Sequence, residues 1–154
     1  MERTLIIAKP DAVQRGLVGE IIGRLERKGL KLIGMKLAAL DKTILRAHYA
    51  EHVEKGFYAG LEDFMKSSPV VLMAWEGFEC IDSVRTIVGA TNPRMAAPGS
   101  IRGDLAIGVG RNLIHASDAK ESGEREVALF FAEAELFDYD KSEYMHLYED
   151  FERS

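Results

Sequence analysis

The chain has 154 residues, 47% hydrophobic and 29% charged, with 20 Lys and Arg against 25 Asp and Glu for a formal net charge of −5. That is the size and composition of a single soluble domain, and the acidic total argues against nucleic acid or an anionic membrane as partner. The lone Cys80 excludes an internal disulfide, the four histidines give no Cys/His zinc pattern, and no apolar run approaches the roughly 18 residues of a membrane span. Charge enters at once in MERTLIIAKPD, whose apolar core is too short for a signal peptide, so a cytoplasmic protein is predicted.

In chain order, TLIIA (4–8) is a short apolar run with β-branched residues, closed by Lys9-Pro10-Asp11, and predicts a central strand ending in a turn. LVGEIIGRLERKG follows, with Val18, Ile21, Ile22 and Leu25 on one helical face and Gly29 as a cap past the end. Residues 30–40 read as a second strand. Residues 41–53 read as a helix that starts on the capping residue Asp41, and FYAGLEDFMK begins another helical piece after Gly56. VVLMAWE (70–76) is the most strand-like segment, and residues 80–89 form a helix ending at a glycine. The stretch ATNPRMAAPGSIRGD predicts a long irregular loop, a length that in a compact domain is usually functional. A short apolar strand then leads to His115, and KESGEREVALFFAEAEL is helical. Beyond it Tyr144, Leu147, Tyr148 and Phe151 fall at i, i+3, i+4 and i+7, which predicts a C-terminal amphipathic helix within residues 139–154. The order gives an α/β (α+β) ferredoxin-like βαββαβ sandwich in one domain, residues 1–154, with a four-stranded antiparallel sheet and surrounding helices.

Several motif matches carry little. His48, Glu51 and His52 fit the H-x-x-E-H of inverted zinc peptidases, but no third ligand accompanies them and a solvated helix face is the simpler reading. RGD (102–104) has adhesive meaning only outside the cell. GVGRNL lacks the third glycine of a dinucleotide fingerprint, and no P-loop is present. Charge distribution says more. Between Arg85 and Ser117 four arginines (85, 94, 102 and 111) meet one carboxylate, Asp104, amid Thr91, Asn92, Ser100 and Asn112. Arginines along a Gly/Pro-rich loop suit phosphate oxygens, although a solvated loop has the same composition. His115 sits where an apolar run meets a polar turn. A neutral imidazole there can attack phosphorus if its second nitrogen is held by an acceptor, and Glu126 on the following helix is a candidate. A structural, turn-capping histidine fits the same pattern, so spacing alone leaves both readings open.

Larger blocks narrow the choice. TLIIAKPDAVQRGLVGEII, FYAGL, SPVVLMAWEG, GATNP, PGSIRGD and GRNLIHASD stand in the order and spacing of the nucleoside diphosphate kinases, which the chain resembles from about residue 3 to about residue 138. The resemblance implies transfer of the γ-phosphate of ATP or another NTP to nucleoside diphosphates, by a ping-pong route through a phosphohistidine at His115. It implies that Lys9 and Tyr49 stand by the transferring phosphate, and that Arg85, Thr91 and Arg102 hold phosphates. Asn112 and Lys9 would meet the ribose 3′-hydroxyl, Phe57 would stack on the base with Leu61 and Val109 beside it, and Ser117 and Glu126 would fix the His115 ring. Mg²⁺ would ride on the phosphates, assisted by Asp118, and the chain would assemble with itself as a homotetramer or homohexamer.

Three residues depart from the family pattern: Ala116 replaces the usual glycine after the histidine, Lys55 a frequent arginine, and Ala97 a frequent lysine. If residue 116 required φ > 0, alanine there would cost on the order of 1 kcal/mol. A silent nucleotide-binding family member would have lost the histidine, the lysine or a phosphate-binding arginine, and all are present. A nucleic-acid-binding ferredoxin-like domain is disfavoured by the acidic total.

Overall fold

The computed structural model describes residues 1–153. Four strands, β1 (Glu2–Ala8), β2 (Lys31–Ala38), β3 (Val70–Gly77) and β4 (Ile114–Ala116), form one antiparallel sheet in the order β2-β3-β1-β4. The helices are α1 (Pro10–Gln14), α2 (Val18–Arg27), α3 (Lys42–His48), α4 (Tyr58–Lys66), α5 (Cys80–Val88), α6 (Ile101–Leu105), α7 (Lys120–Phe130) and α8 (Tyr144–Leu147). This is the βαββαβ arrangement read from the sequence, with α3 and α4 inserted between β2 and β3.

The apolar runs of β1 and β3 are continuous because both faces of the sheet are covered. Ile6 and Ala8 of β1, with Met73 and Trp75 of β3, pack against Ile21 and Leu25 of α2 and Val84 and Val88 of α5. Leu5, Ile7, Leu72 and Ala74 point the other way, onto Leu45 of α3, Phe64 and Met65 of α4, and Val127 and Phe130 of α7. Successive side chains of one strand therefore feed two cores. The C-terminal end of β1 and its neighbour β4, an edge strand, lie between those cores.

Local chemistry sets the element ends. Asp41 caps α3, its carboxylate accepting from the Ile44 N–H at 2.9 Å. Gly29, at φ 100°, closes α2: its own N–H donates to Glu26 O, and the Leu30 N–H reaches back to Leu25 O. Gly123 has a different reason to be glycine. A Cβ there would overlap the Arg3 carbonyl oxygen, so only glycine lets α7 lie this close to β1.

The structure departs from the sequence expectations in four places. Pro10 starts a helix, α1, at the position where its missing N–H costs nothing, so the turn after β1 is helical. The expected loop from 90 to 104 contains a 3₁₀ turn at Pro93–Met95 and α6, capped by Ser100 Oγ, which accepts from Gly103 N–H at 3.0 Å. The helix expected to run to residue 136 ends at Phe130, and Glu133–Glu135 form only a 3₁₀ turn. The C-terminal segment is not one amphipathic helix: it is helical only in α8 and in a 3₁₀ turn at Asp150–Glu152. Tyr144 and Tyr148 are half-buried, whereas Leu147 and Phe151 are exposed. Lys141 anchors this segment by donating to Gly29 O and Leu30 O.

Replacing Gly123 by alanine forces α7 off β1. The expected cost is about 2 kcal/mol, from overpacking, which lowers Tm by about 5 °C. Calorimetry checks it, and an unchanged Tm would show that the close approach is not a constraint.

Candidate active site

The tripeptide Lys9-Pro10-Asp11 organises the site. Lys9 follows β1 with its backbone N–H on Leu113 O at 2.8 Å, and Asp11 Oδ2 accepts from the Leu113 N–H at 3.0 Å. Leu113 is fully buried at φ 71°, and the Ile114 N–H donates to Asn112 O at 2.9 Å across it. This is a γ-turn of the strained, positive-φ kind, held in place by the helix that Pro10 begins. The strain turns the chain sharply from Asn112 into β4, so Asn112 and His115 serve one cavity.

His115 pairs in register with Ile7 of β1 and is half-buried. Its Nε2 lies 3.0 Å from Glu126 Oε2. The same oxygen accepts from Ser117 Oγ at 2.6 Å, and Ser117 Oγ in turn accepts from the Leu5 N–H at 3.0 Å. Burial alone would raise the pKa of the Glu126 carboxyl. The hydrogen bonds from His115 and from the Ser117 hydroxyl outweigh it and lower the pKa from its ordinary value. An ionised Glu126 accepting from Nε2–H fixes the tautomer with the lone pair on Nδ1, which has no partner among the described residues. His48 lies edge-on to His115, ring centroids 4.6 Å apart, and its Nδ1 is 4.0 Å from Glu126 Oε1. Burial first, and the neighbouring His115 ring second, push its pKa down to about 3, so this ring is neutral.

A second group of side chains is cationic. Lys9 Nζ donates to Asn112 Oδ1 at 2.8 Å, and Asn112 Nδ2 donates to Thr91 O at 3.0 Å. Burial first, and Arg102 second, push the Lys9 pKa down to about 8 against the opposing pull of Asp11. Arg102 is buried and donates to Asn112 O, Gly89 O and Ile114 O. Three of its five N–H groups are thereby used on backbone, leaving a fixed guanidinium with two donors to offer. Burial and then Arg85 lower its pKa to about 10.

These residues line one cavity of about 420 Å³. Of the residues the sequence singled out, Lys9, Tyr49, Phe57, Leu61, Arg85, Thr91, Arg102, Asn112, His115, Asp118 and Glu126 all face it. Phe57 stands at the mouth with its ring largely exposed, and burial raises the pKa of the Tyr49 hydroxyl. Ser117 is fully buried behind His115 and reaches the cavity only through Glu126. Val109 is the exception. It is exposed on the turn between Gly108 and Arg111 and does not line the cavity.

The departures take definite positions. Ala116 lies in β4 opposite Ile6 without positive φ, so the strain that alanine would suffer there does not arise. Lys55 is exposed, its Nζ 3.0 Å from His52 Nδ1, and does not line the cavity. Ala97 is exposed, its carbonyl accepting from Ser100 Oγ. RGD lies within α6 with Arg102 buried, which is incompatible with an adhesion loop. The H-x-x-E-H pattern does not assemble: His48 ends α3 beside His115, while His52 follows in a 3₁₀ turn near Phe57. Sequence reasoning missed His48 as a neighbour of His115 and missed Ser122 and Arg125 on the cavity wall. The i, i+3 relation of Ser122 and Arg125 on the Glu126 helix was the available signal for those two.

Comparisons with known proteins point to one family. Residues 2–136 match the family described as Nucleoside diphosphate kinase. A nucleoside diphosphate kinase of Archaeoglobus fulgidus is 54% identical over 150 residues, 97% of this chain and 99% of that protein. One of Carboxydothermus hydrogenoformans is 54% identical over 149 residues, 97% of this chain and all of the relative. Among solved structures, a halophilic nucleoside diphosphate kinase from Halobacterium salinarum in complex with CDP superposes with a TM-score of 0.94 at 49% identity, covering 96% of this chain and 99% of that one. A cavity that sets a tautomer-fixed histidine among lysine and arginines, in a chain this similar throughout, leaves one assignment: the chain belongs to the nucleoside diphosphate kinase family, enzymes that move phosphate between nucleotides.

Proposed function

We propose that this chain transfers the γ-phosphate of ATP or another NTP to nucleoside diphosphates by a ping-pong mechanism, with His115 Nδ1 as nucleophile. One observation carries the reading: His115 Nε2 is committed to Glu126, which leaves the lone pair of Nδ1 free beside a cluster of cations. Nδ1 attacks the γ-phosphorus, the bond to the β–γ bridging oxygen breaks, and the diphosphate departs. The second diphosphate then attacks the phosphohistidine through its terminal oxygen and restores the neutral ring. The positive charge that the ring gains when Nδ1 bonds to phosphorus is offset by Glu126 through Nε2–H.

The remaining groups position and neutralise. Arg102, fixed by three backbone carbonyls, and Arg85 hold phosphate oxygens with Thr91. Lys9 and Tyr49 stand near the transferring phosphate, and Asn112, already bonded to Lys9, receives the ribose 3′-hydroxyl. Phe57 stacks on the base with Leu61 beside it. Stacking without edge contacts tolerates every base. Val109 contributes only from the rim, if the 108–111 turn closes over the base. Asp118 is exposed at the cavity wall and free of ion pairs among the described residues, so one carboxylate is available to Mg²⁺ on the phosphates. That ion, when bound, supplies charge neutralisation at the phosphates.

Self-association, as a homotetramer or homohexamer, belongs to the same reading. β2 is an edge strand that exposes Met35 and Leu37, 53% and 66% accessible, and such an edge favours pairing with a second copy. Among the described residues no helix is long and apolar enough to cross a membrane, and a single cytoplasmic domain acting on free nucleotides suits the site.

The test is a two-stage transfer. Protein incubated with Mg²⁺ and γ-labelled ATP takes up acid-labile, base-stable label, which then moves to unlabelled GDP or UDP. His115→Ala takes up none and loses at least about 10³-fold in rate. Label on that variant would contradict the assignment.

Glu126→Gln keeps an acceptor for Nε2–H but loses the charge, so kcat falls by about 10- to 100-fold, corresponding to about 1.4–2.7 kcal/mol. An unchanged kcat in stopped-flow transfer would remove Glu126 from the mechanism.

Lys9 gives a pH dependence. Its free-protein pKa of about 8 is raised by a bound phosphate, so the protonated form binds nucleotide. ADP affinity is full below pH 8 and weakens by up to about tenfold per unit above it. Calorimetric titration of Lys9→Met should show weaker binding throughout and no inflection near pH 8. A wild-type affinity that is flat from pH 7 to 9.5 would refute the role.

A further inference from the structure

His48 has no task in the mechanism above, yet it is among the least ordinary residues in the molecule. Its side chain is 1% exposed, and neither ring nitrogen has a hydrogen-bond partner among the described residues. A buried imidazole with unpaired nitrogens is costly, because each nitrogen gives up its water without a hydrogen bond in return. Phe130 and Tyr49 pack against the ring at centroid distances of 5.2 and 4.4 Å, and its third neighbour is His115. On the remaining side Nδ1 faces Glu126 Oε1 at 4.0 Å, too far for a hydrogen bond. One nitrogen from each histidine and one Glu126 oxygen all lie within 4.8 Å of one another.

We propose that His48, His115 and Glu126 form a binding site for zinc, and that an ion seated there switches off the nucleophile. Two imidazoles and a carboxylate are a ligand set that zinc accepts with three protein ligands and one open position. In tetrahedral coordination the ligand atoms stand about 3.4 Å apart, so atoms now as much as 4.8 Å apart must close by up to about 1.4 Å. The fourth position faces the cavity, which His48, His115 and Glu126 all line. The site differs in kind from the Mg²⁺ of the substrate: Mg²⁺ takes oxygen ligands and keeps its waters, whereas imidazole selects zinc-class ions.

The switch is a change of tautomer. In the metal-free protein the His115 proton is on Nε2 and the lone pair on Nδ1. Zinc takes the Nε2 lone pair in place of that proton, and the proton passes to Nδ1. His48 is neutral and Glu126 ionised, so neither releases a proton, and the ring stays neutral. Nδ1, now protonated, has no lone pair with which to attack phosphorus. Conversely, a phosphate on Nδ1 leaves the Nε2 proton in place, so the phosphorylated protein resists the metal. The switching half of the proposal rests on His115 being the nucleophile; the binding half does not.

The experiment titrates chelator-treated full-length protein with Co²⁺, whose visible bands are intense only in four-coordinate sites, and then displaces it with Zn²⁺. Expected is one ion per chain with four-coordinate bands, an affinity at least about tenfold weaker in His48→Gln, and no change in His52→Gln. In a single turnover with labelled ATP and Mg²⁺, zinc-loaded wild-type protein takes up less label than metal-free protein, while His48→Gln takes up the same label with and without zinc. Absence of four-coordinate bands, or equal affinity in His48→Gln, overturns the site. Equal zinc inhibition of wild type and His48→Gln overturns the switch, since the metal would then be acting on the nucleotide. If His115→Gln still takes label the mechanism fails, and the cobalt titration judges the binding site separately.

Discussion

A single carboxylate oxygen joins the parts of this molecule that matter for its chemistry. Glu126 Oε2 meets His115 Nε2 from β4 and the Ser117 hydroxyl, and Ser117 accepts the Leu5 N–H from β1. Helix α7, the edge strand and the central strand are thus tied at one point. The tie exists only because α7 lies against the sheet, and it lies there because Gly123, three residues before Glu126 on the same helical face, has no Cβ to strike the Arg3 carbonyl. Burying a charge at such a place is unfavourable unless its hydrogen bonds are filled, and here two donors fill one oxygen. The other oxygen faces His48 without a bond, so the neighbourhood is one partner short.

Opposite this acid stands a group of cations that disfavour one another. Lys9 is pressed down by burial and by Arg102, and Arg102 by burial and by Arg85. In a chain of net charge −5 this is a local concentration of positive charge, held by the γ-turn at Leu113 and by backbone carbonyls. The cavity is preorganised for an anion: its donors are in place before any ligand arrives, and an entering phosphate relieves their mutual repulsion. The positive-φ leucine is where backbone strain is stored, and Asp11 and Lys9 keep it so by clasping its N–H and its carbonyl.

Much of this was legible in the sequence because the signals were local and repeated. The apolar runs at 4–8 and 70–76 belong to strands buried on both faces, and the Gly29 and Asp41 caps sit where propensity puts them. Of the arginine-rich, acid-poor window from 85 to 117, Arg85 and Arg102 line the cavity and Arg94 and Arg111 do not, and the KPD and N-x-x-H blocks pointed to Lys9, Asn112 and His115 there. What was not legible depended on tertiary contact. Proline and glycine counts hid α6, whose Ser100 cap is a single residue inside a loop-like composition. The stripe Tyr144, Leu147, Tyr148, Phe151 has helical spacing, yet the chain spends it in one short turn held by Lys141 on the end of α2. His48 was visible only as half of a zinc-peptidase pattern with His52. Its true neighbour, His115, is 67 residues away in sequence, and no spacing rule connects them. Val109 followed the resemblance into the site, but the turn that carries it stands outside the cavity.

The central claim is that Glu126 holds the His115 proton on Nε2 and so leaves Nδ1 as the reacting atom. The most direct measurement is the ¹⁵N spectrum of the histidine side chains near neutral pH, with His115 assigned by comparison with His115→Gln. The account predicts a protonated Nε2 and an unprotonated Nδ1 in the free protein. It also predicts that the phosphorylated protein carries its phosphorus coupling on Nδ1, with Nε2 still protonated. A free protein with its proton on Nδ1, or a phosphate on Nε2, would contradict the account at its base.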